Sequence, residues 1–445
     1  MNKKLNNNLQ RGSIMSVNKR FLTVSIAAAL VSSFNVQAAG FQLNSQSATG
    51  LGRAFSGDAV IADNASVVAK NAAAMALFDR PAMSLGLTVI DTDIKVKNTS
   101  LAVTSPLGTQ SFGVDDASIG GVSYVPNLYY IHPINEKIAV GASLYSNFGT
   151  LTEFPNGYGG AVPADIFGGT TEVKSLNLGL SASYRLNKQL SLGAGIDVIY
   201  GSGKFTRGRG LSPLPSSVTG TSDLVDIDAD GFALGFNLGS VFEVDDNNRF
   251  GLTYRFSPTL EAKGDMTYIP NASIGKPYDL SGEKLKMPLP DMAEFSGFHK
   301  LNDKFAVHYS IQWIGWSSFD KLETTGGTVI KDYEWQDGWH YAIGGTYYLN
   351  NDWTLRAGYM HDTSAQDQMT SISVPDSDRN WISGGFTYHL DSKSNIDFGL
   401  TYLMGKDVDV KEQSALSANP PTLGTLTATT RANAWLYGIQ YSRSF

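Results

Sequence analysis

The six histidines are the first residues to consider for enzymatic catalysis or metal binding in this chain. Hydrolysis needs a nucleophile with a base in reach, and a metal site needs ligands at short, regular spacing. The chain has no cysteine and no serine in a nucleophile elbow, and its histidines lack such spacing. We predict no enzyme, no metal site and no cofactor, with a lipid-acting hydrolase as the alternative. The histidines are His132, His299, His308, His340, His361 and His389.

Arg207 is a candidate for a different chemistry, the binding of a carboxylate. A buried carboxylate is costly unless it is paired, and a guanidinium can bind it through two parallel hydrogen bonds. Upstream, apolar residues occupy the even positions from Leu190 to Tyr200, and small or polar residues occupy most odd positions. Successive side chains of a strand point to opposite faces, so Arg207 lies opposite the apolar face. Two interpretations stay open, a ligand contact and an ion pair inside the protein.

The alternation upstream of Arg207 recurs along most of the chain. Further apolar rows begin at Leu176, Phe232, Phe305 and Trp435. Short turns and long connections alternate between the rows, which is typical of a transmembrane barrel. Six short turns and seven long connections predict fourteen antiparallel strands. The short turns lie at 135–137, 187–189, 245–248, 302–304, 350–352 and 391–394, and the long connections at 98–118, 149–172, 206–228, 265–289, 319–336, 363–378 and 411–429.

A soluble β-sandwich is the alternative fold, since its strands alternate as well. Sandwich strands usually have about 5–6 residues, whereas the row from Leu190 to Tyr200 is roughly twice as long. A closed barrel also satisfies every backbone group in lipid, which an open sheet does not. The last row ends at Phe445, an aromatic terminal residue that looks like the assembly signal of outer-membrane barrels. We therefore predict an outer-membrane barrel.

The N-terminal residues predict export from the cytoplasm. An apolar stretch at 21–34 follows two basic residues and precedes the small-residue site at 36–38, the order of a secretory signal peptide. We expect cleavage after Ala38, with Met15 as a possible start. Residues 1–38 contain five basic and no acidic residues, so their removal takes the formal charge from −7 to −12. Such an acidic chain argues against a nucleic-acid partner.

Residues 39–80 do not alternate and are too many for a first loop. We predict a hatch, or plug, inside the barrel, with a disordered tail as the alternative. Asp63 or Asn64 is a candidate cap for a short helix through the alanine-rich stretch 65–77. The predicted domains are therefore a signal peptide at 1–38, a hatch at 39–80 and a fourteen-stranded barrel at 81–445. An open porin passes small solutes, whereas a plugged barrel must first bind what it passes.

One long connection, residues 266–290, is rich in apolar side chains for an outer surface. It predicts either an outer capture site for a hydrophobic molecule or a loop whose side chains pack on each other.

The chain resembles the FadL family of long-chain fatty-acid transporters over almost its whole mature length. The matching stretches follow the order of the hatch and then of the barrel. Among them are AGFQLN at 39–44, GLGRAFSG at 50–57, IADNAS at 61–66, MALFDRP at 75–81, SYRLN at 183–187 and DDNNRF at 245–250. The resemblance implies a fourteen-stranded barrel with an N-terminal hatch. It also implies uptake of fatty acids or other hydrophobic compounds, with lateral release through the barrel wall.

The resemblance also assigns roles to individual residues. Arg207 and Lys331 match two basic residues that meet the ligand head group, and for Lys331 this match is the sole argument. Asn71, Ala72 and Ala73 match the hatch motif Asn-Pro-Ala, whose proline is missing here. Because proline fixes φ, its absence puts the switching geometry of the hatch in doubt. The resemblance places Ser146, Asn147, Phe148 and Gly149 beside the wall opening, and we assign Ser123 and Pro126 of the second strand to the same opening.

Pro126 supports a wall opening independently of the family. It lies inside the second strand, and proline cannot donate to a β-ladder. Incomplete pairing and a harmless bulge both remain open.

The expected location is the outer membrane of a Gram-negative cell, and the expected function is uptake of long-chain fatty acids or related compounds. The expected partners are these ligands, outer-membrane lipid and the barrel assembly machinery, and we expect a monomer. A general porin is the main alternative.

Overall fold

Fourteen antiparallel strands close into a barrel in the structure, a computed structural model. It describes residues 40–445 except 209–222, 270–279, 281, 368 and 419–420, so the predicted signal peptide lies outside the described residues. The predicted number of barrel strands is confirmed. The barrel strands are β1 Ala82–Ser105, β2 Val122–Pro133, β3 Ile138–Tyr145, β4 Thr170–Arg185, β5 Leu190–Arg207, β6 Val225–Asp245, β7 Asn248–Phe256, β8 Met292–Asn302, β9 Phe305–Ile314, β10 Gly338–Tyr348, β11 Trp353–Asp362, β12 Arg379–His389, β13 Ser394–Gly405 and β14 Pro421–Ser444.

The ring closes between the first and the last strand. Leu85 of β1 is paired with Leu128 of β2 on one side and with Tyr441 of β14 on the other. Apolar side chains at alternate positions face outward, and Phe232 is 70% exposed to the surroundings of the barrel. The side chains between them point into the lumen, where Ser296 is completely buried. This arrangement confirms the predicted alternation of lipid-facing and lumen-facing residues.

The long connections contain more regular structure than the sequence predicted. The strands in these connections pair with the ends of barrel strands or with one another. An extended strand can continue a ladder beyond the membrane in this way. These strands are Gly108–Gly113, Ala117–Ser118, Gly149–Glu153, Thr259–Tyr268, Leu285–Pro288, Lys321–Thr324, Val329–Asp332 and Val408–Ala418. A 3₁₀ helix, Trp316–Ser318, precedes Lys321–Thr324 in the connection between β9 and β10.

The segment before β1 is almost entirely buried and lies in the lumen. It contains the helices α1 Ala48–Gly52 and α2 Val67–Lys70 and the 3₁₀ helix Ala72–Leu77. The prediction of one helix through 65–77 is wrong, because the chain is extended at Asn71, with φ −145° and ψ 108°. The amide group of Asn71 donates to the carbonyl oxygen of Ser240 in β6, and its oxygen accepts from the amide of Ala73. These bonds favour a break over a continuous helix.

Lumen-facing glycines of the wall make room for this segment. A methyl group at Gly193 of β5 would lie 2.2 Å from the backbone nitrogen of Ala73, and one at Gly239 of β6 would lie 2.0 Å from the Asn71 side-chain oxygen. Contacts this close require glycine in the wall. The close packing of the hatch in the lumen therefore depends on glycines in the barrel strands as well as on the hatch residues.

Charged residues form a second contact between the hatch and the wall. Arg53 lies 2.9 Å from Asp58 and 3.1 Å from Asp63, and Asp63 also lies 3.2 Å from Arg356 of β11. The pair of Arg53 and Asp58 is buried within the hatch, whereas Asp63, which reaches the wall, is exposed, so its pair with Arg356 stabilises the attachment only modestly. Within the described part of the chain, no helix is long and apolar enough to cross a membrane.

Candidate functional site

A cavity of about 520 Å³ lies where several long connections meet the barrel. Arg207 and Lys331 both line it, so the structure brings together the two cations that the sequence assigned to a head group. Phe205, Leu224 and Ile269 belong to its apolar lining. Two basic groups beside an apolar wall can bind a molecule with an acidic end and a hydrophobic remainder.

Arg207 ends β5 and is buried with its side chain on the lumen face, as the alternation predicted. Its guanidinium donates to the hydroxyl groups of Thr171 and Ser373, at 2.9 and 2.7 Å. It also donates to the backbone oxygens of Thr170 and Thr206, at 3.2 and 2.6 Å. Arg207 has no ion pair among the described residues, so the open alternative of an ion pair inside the lumen is not realised here.

Lys331 lies in the strand Val329–Asp332 of a connection, a position that the sequence could not assign. Its ammonium is 2.7 Å from a carboxylate oxygen of Glu412 and donates to Ser371 at 2.9 Å. Ser371 donates in turn to Glu412 and shares a hydrogen bond of 2.9 Å with Ser373. A chain of polar contacts therefore joins Arg207 to Lys331.

Burial shifts the pKa values of two titratable groups in this cavity. It lowers the pKa of Lys331 below its usual value, although the nearby Glu412 carboxylate opposes this shift. Burial likewise raises the pKa of the Tyr333 hydroxyl to about 12. A cation in such a place gains more from an anionic partner than an exposed lysine does.

An aromatic cluster adjoins the cavity, with Phe205 and Tyr333 lining both it and a smaller cavity of about 30 Å³. Phe41 of the N-terminal segment inserts into this cluster. Its ring centroid lies 4.5 Å from that of Trp316, 5.3 Å from that of Phe319 and 5.7 Å from that of Trp335. Phe41 thus fills apolar space in the cluster that adjoins the cavity of the two cations.

The same segment forms a strand-like contact with the wall. The amide of Leu43 donates to the backbone oxygen of Asn147 at 2.6 Å, and the amide of Gly149 donates to that of Phe41 at 2.8 Å. The rings of Phe41 and Phe148 meet edge to face, with centroids 6.1 Å apart. Displacement of Phe41 would therefore loosen residues 146–149.

Residues 146–148 leave the wall between β3 and the strand Gly149–Glu153, which pairs with β4. The ladder between β2 and β3 ends at the pair Leu128 and Leu144. Beyond this pair, residues 122–127 of β2 stay paired with β1, where Pro126 lies opposite Leu87. No ladder joins them to β3 among the described residues. The wall is thus interrupted beside Pro126, and no backbone donor is needed there.

All residues assigned to the wall opening lie around this interruption. Ser123 and Pro126 are on β2, and the side chain of Ser123 is completely buried on the lumen face. Ser146, Asn147, Phe148 and Gly149 form the departing segment and are buried as well.

The hatch motif lies away from this interruption, against β5 and β6. Asn71 has the extended conformation that a residue before proline requires, and Ala72 begins the 3₁₀ helix. Proline favours the first position of a helix, so the backbone here matches the missing proline. The geometry that proline would stiffen is therefore present in the alanine sequence.

The apolar connection at 266–290 packs inward. Ile269, Leu285, Met287 and Leu289 are buried and belong to one cluster with the aromatic residues around Phe41. Of the two predicted alternatives, the described residues favour packing, and Tyr278 lies outside the described residues.

Sequence reasoning missed Glu412 and the aromatic cluster. Glu412 lies in the strand Val408–Ala418, in a stretch predicted as a loop. Alternation was a usable signal there, since Val410 and Leu416 are buried on the same face as Glu412. Trp316, Phe319 and Trp335 were visible as aromatic residues in one connection, but their contacts with Phe41 were not.

Comparisons with known proteins agree with this architecture. Residues 28–445 match the family described as outer membrane protein transport protein (OMPP1/FadL/TodX). The long-chain fatty acid transport protein of Escherichia coli strain K12 is 34% identical over 470 residues, which cover 96% of this chain and 99% of that protein. Outer membrane protein P1 of Haemophilus influenzae strain Rd is 35% identical over 468 residues, covering 96% of this chain and 100% of that protein.

Solved structures show the same fold. A Pseudomonas aeruginosa FadL homologue superposes with a TM-score of 0.77 at 24% identity, covering 92% of this chain and 100% of that one. The Pseudomonas putida toluene transporter TodX gives a TM-score of 0.61 at 21% identity, covering 90% and 98%. The chain therefore belongs to the FadL/TodX family of outer-membrane transport proteins.

Proposed function

We propose that the protein takes up long-chain fatty acids, or closely related hydrophobic acids, across the outer membrane. The observation that supports this most is the meeting of Arg207 and Lys331 in one cavity beside an apolar cluster. The head group binds to the two cations, and the alkyl chain extends past Phe205 and Tyr333. Burial of the chain contributes about 0.8 kcal/mol per methylene.

Phe41 connects binding to release in this proposal. The alkyl chain competes with the Phe41 ring for the space among Trp316, Phe319 and Trp335. Withdrawal of Phe41 breaks the backbone hydrogen bonds between the N-terminal segment and residues 147–149. The hatch motif at Asn71, Ala72 and Ala73 keeps the remainder of the hatch on the wall while its N-terminal part moves.

The ligand then leaves sideways into the outer membrane. The route passes between Ser123 and Pro126 on β2 and the departing segment of Ser146, Asn147, Phe148 and Gly149. A lateral route suits an amphiphile, because its alkyl chain passes directly from apolar protein to lipid and avoids water. The bonds of the ligand do not change, so the proposal includes no catalytic step.

The named relatives support the choice of ligand. Similar proteins carry the names long-chain fatty acid transport protein and toluene transporter. Two cations at the cavity favour an acid over an uncharged hydrocarbon. We also propose that the protein is a monomer, that it contacts outer-membrane lipid, and that the barrel assembly machinery inserts it into the membrane.

Uptake of radiolabelled palmitate by cells that produce the protein tests the function. We expect saturable uptake that is lost when Arg207 and Lys331 are both replaced with alanine. A single-channel recording separates this function from a general porin, since a plugged transporter gives no large steady conductance. Large steady conductance without palmitate binding would favour the porin, and release of fatty acid from a lipid ester would favour the hydrolase.

A further inference from the structure

Two asparagines flank the end of β3, where the chain leaves the wall. Asn177 of β4 is paired with Tyr145, the last residue of β3. Asn127 of β2 is one position beyond the last pair of β2 and β3, which joins Leu128 to Leu144. The two asparagines therefore lie at one level of the barrel, two strand spacings or roughly 10 Å apart.

Both side chains are buried, with exposed fractions of 2% for Asn127 and 0% for Asn177. Neither the oxygen nor the nitrogen of either amide group has a hydrogen-bond partner in the described part of the chain. The hydroxyl group of Ser146, the residue after Tyr145, is also buried and has no partner among the described residues. Most buried polar side chains in proteins are paired, so this concentration at one place in the wall requires an explanation.

A third lumen asparagine, Asn237, has a partner within the protein. Asn237 of β6 is also buried, and it donates to Asp197 at 3.2 Å. An unpaired buried amide lowers stability and packing does not need it, since leucine has a similar volume. Asn127 and Asn177 therefore lower the stability of the folded chain, and we expect their amide groups to pair with a molecule that is not part of the chain.

We propose that Asn127 and Asn177, with Ser146, form a second polar site for the ligand head group at the wall opening. This proposal rests on the proposed function and deepens it. The amide nitrogens and the hydroxyl group can donate to a carboxylate, and the amide oxygens can accept from a protonated carboxyl group. The site thus accepts the head group in either state after it leaves Arg207 and Lys331.

The physical need for such a site follows from the route. A carboxyl group without hydrogen bonds is expensive between the cavity and the lipid headgroups. The three side chains supply these bonds while the alkyl chain enters the membrane through the interruption beside Pro126. An uncharged alkane on the same route gains nothing from them.

The site is closed in this structure by the departing segment. The side-chain nitrogen of Gln46 donates to the backbone oxygen of Ser146 and to the side-chain oxygen of Asn147. The side-chain oxygen of Gln46 and nitrogen of Asn147 are buried without a partner among the described residues. Displacement of the N-terminal segment would break the bonds from Gln46 and would open the site.

Leucine substitutions test the site, because they remove the amide and keep the volume. In cells with equal amounts of barrel, Asn127→Leu and Asn177→Leu should lower uptake of radiolabelled palmitate about fivefold, as expected for one lost hydrogen bond. Uptake of radiolabelled hexadecane should stay unchanged. The melting temperature of both purified variants should stay the same or rise, and Asn177→Ser should restore part of the palmitate uptake.

Asn237→Leu is the matched control, and its melting temperature should fall because it breaks the contact with Asp197. Equal losses of palmitate and hexadecane uptake would overturn the inference. A lower melting temperature in the Asn127 and Asn177 variants would also overturn it, since the amides would then hold buried water. Palmitate uptake by the native protein with no effect of the leucine variants refutes this site alone, whereas no palmitate uptake by the native protein refutes the proposed function too.

Discussion

Lys331 and Glu412 form a partly buried ion pair, with 2.7 Å between the ammonium and a carboxylate oxygen, inside the cavity proposed for the ligand head group. Glu412 thus holds a carboxylate where a fatty acid would place its own. The hydroxyl of Ser371 and the amide of Ile372 also donate to Glu412. A ligand acid must share these donors or displace Glu412 from them.

Glu412→Gln should therefore tighten the binding of a fatty acid. Removal of the resident carboxylate leaves the partly buried Lys331 without its anionic partner, and the ligand then restores the pair. We expect the dissociation constant for palmitate to fall about tenfold, equivalent to about 1.4 kcal/mol. Hexadecanol should bind as before. The measurement is a titration of both ligands in detergent free of fatty acid.

Glu323→Gln is a suitable control, because Glu323 pairs with Lys286 and Lys321 in a different cavity. Its palmitate affinity should not change. Weaker palmitate binding by Glu412→Gln would show instead that Glu412 holds Lys331 in position for the ligand.

Arg207→Ala should weaken fatty-acid binding by roughly 1.5–3 kcal/mol, the range for a hydrogen bond to a charged group. The guanidinium already donates to Ser373 and Thr171, so the variant also removes structural contacts. Comparison of hexadecanoic acid with hexadecanol separates the two effects, because only the acid carries a charge. Equal losses for both ligands would mean that Arg207 supports the cavity and does not bind the head group. Preference among chain lengths should survive the substitution.

The sequence predicted what depends on local alternation. The number of strands, the lumen side of Arg207 and the short turns follow from neighbouring residues along each strand. The contact of Lys331 with Glu412 joins residues 81 positions apart, and that of Phe41 with Trp316 joins opposite parts of the chain. Such contacts exist only after the barrel closes and the connections fold over it. No periodicity within one segment encodes them.

The break at Asn71 illustrates a second limit. Alanine has the highest helix propensity, so the stretch 65–77 predicted one helix. The side chain of Asn71 instead bonds to Ser240 of the wall and to Ala73, and these tertiary contacts outweigh propensity. The outcome depended on a strand more than 160 residues away along the chain.

Ala72→Pro should stabilise the hatch. Asn71 is already extended, as a residue before proline must be, and Ala72 begins a 3₁₀ helix whose φ range proline satisfies. The amide of a first helical residue has no partner within its helix, so little is lost there. A compatible proline typically adds about 0.4–1 kcal/mol by restricting the unfolded chain. Thermal unfolding in detergent should show a higher melting temperature, with palmitate affinity unchanged.

Ala74→Pro in the same helix is the control and should be destabilising, because the amide of Ala74 donates to the backbone oxygen of Asn71. A lower melting temperature for Ala72→Pro would mean that the hatch backbone at this position does not suit proline. The absence of proline would then mark a real difference in hatch geometry.

Ser123→Arg should block lateral release while the barrel still assembles. Ser123 is completely buried on the lumen face of β2, beside the interruption of the wall, and its hydroxyl has no partner within the described residues. An arginine there fills the opening and places a charge on the path of the alkyl chain, which is costly in an apolar environment. We expect palmitate uptake to fall severely, with palmitate binding to the purified protein unchanged, because Arg207 and Lys331 lie elsewhere.

Ser318→Arg, in an exposed turn of an outer connection, is the matched control and should leave uptake unchanged. Normal uptake by a correctly inserted Ser123→Arg variant would count against the lateral route, and the ligand would then have to pass through the hatch along the axis of the barrel.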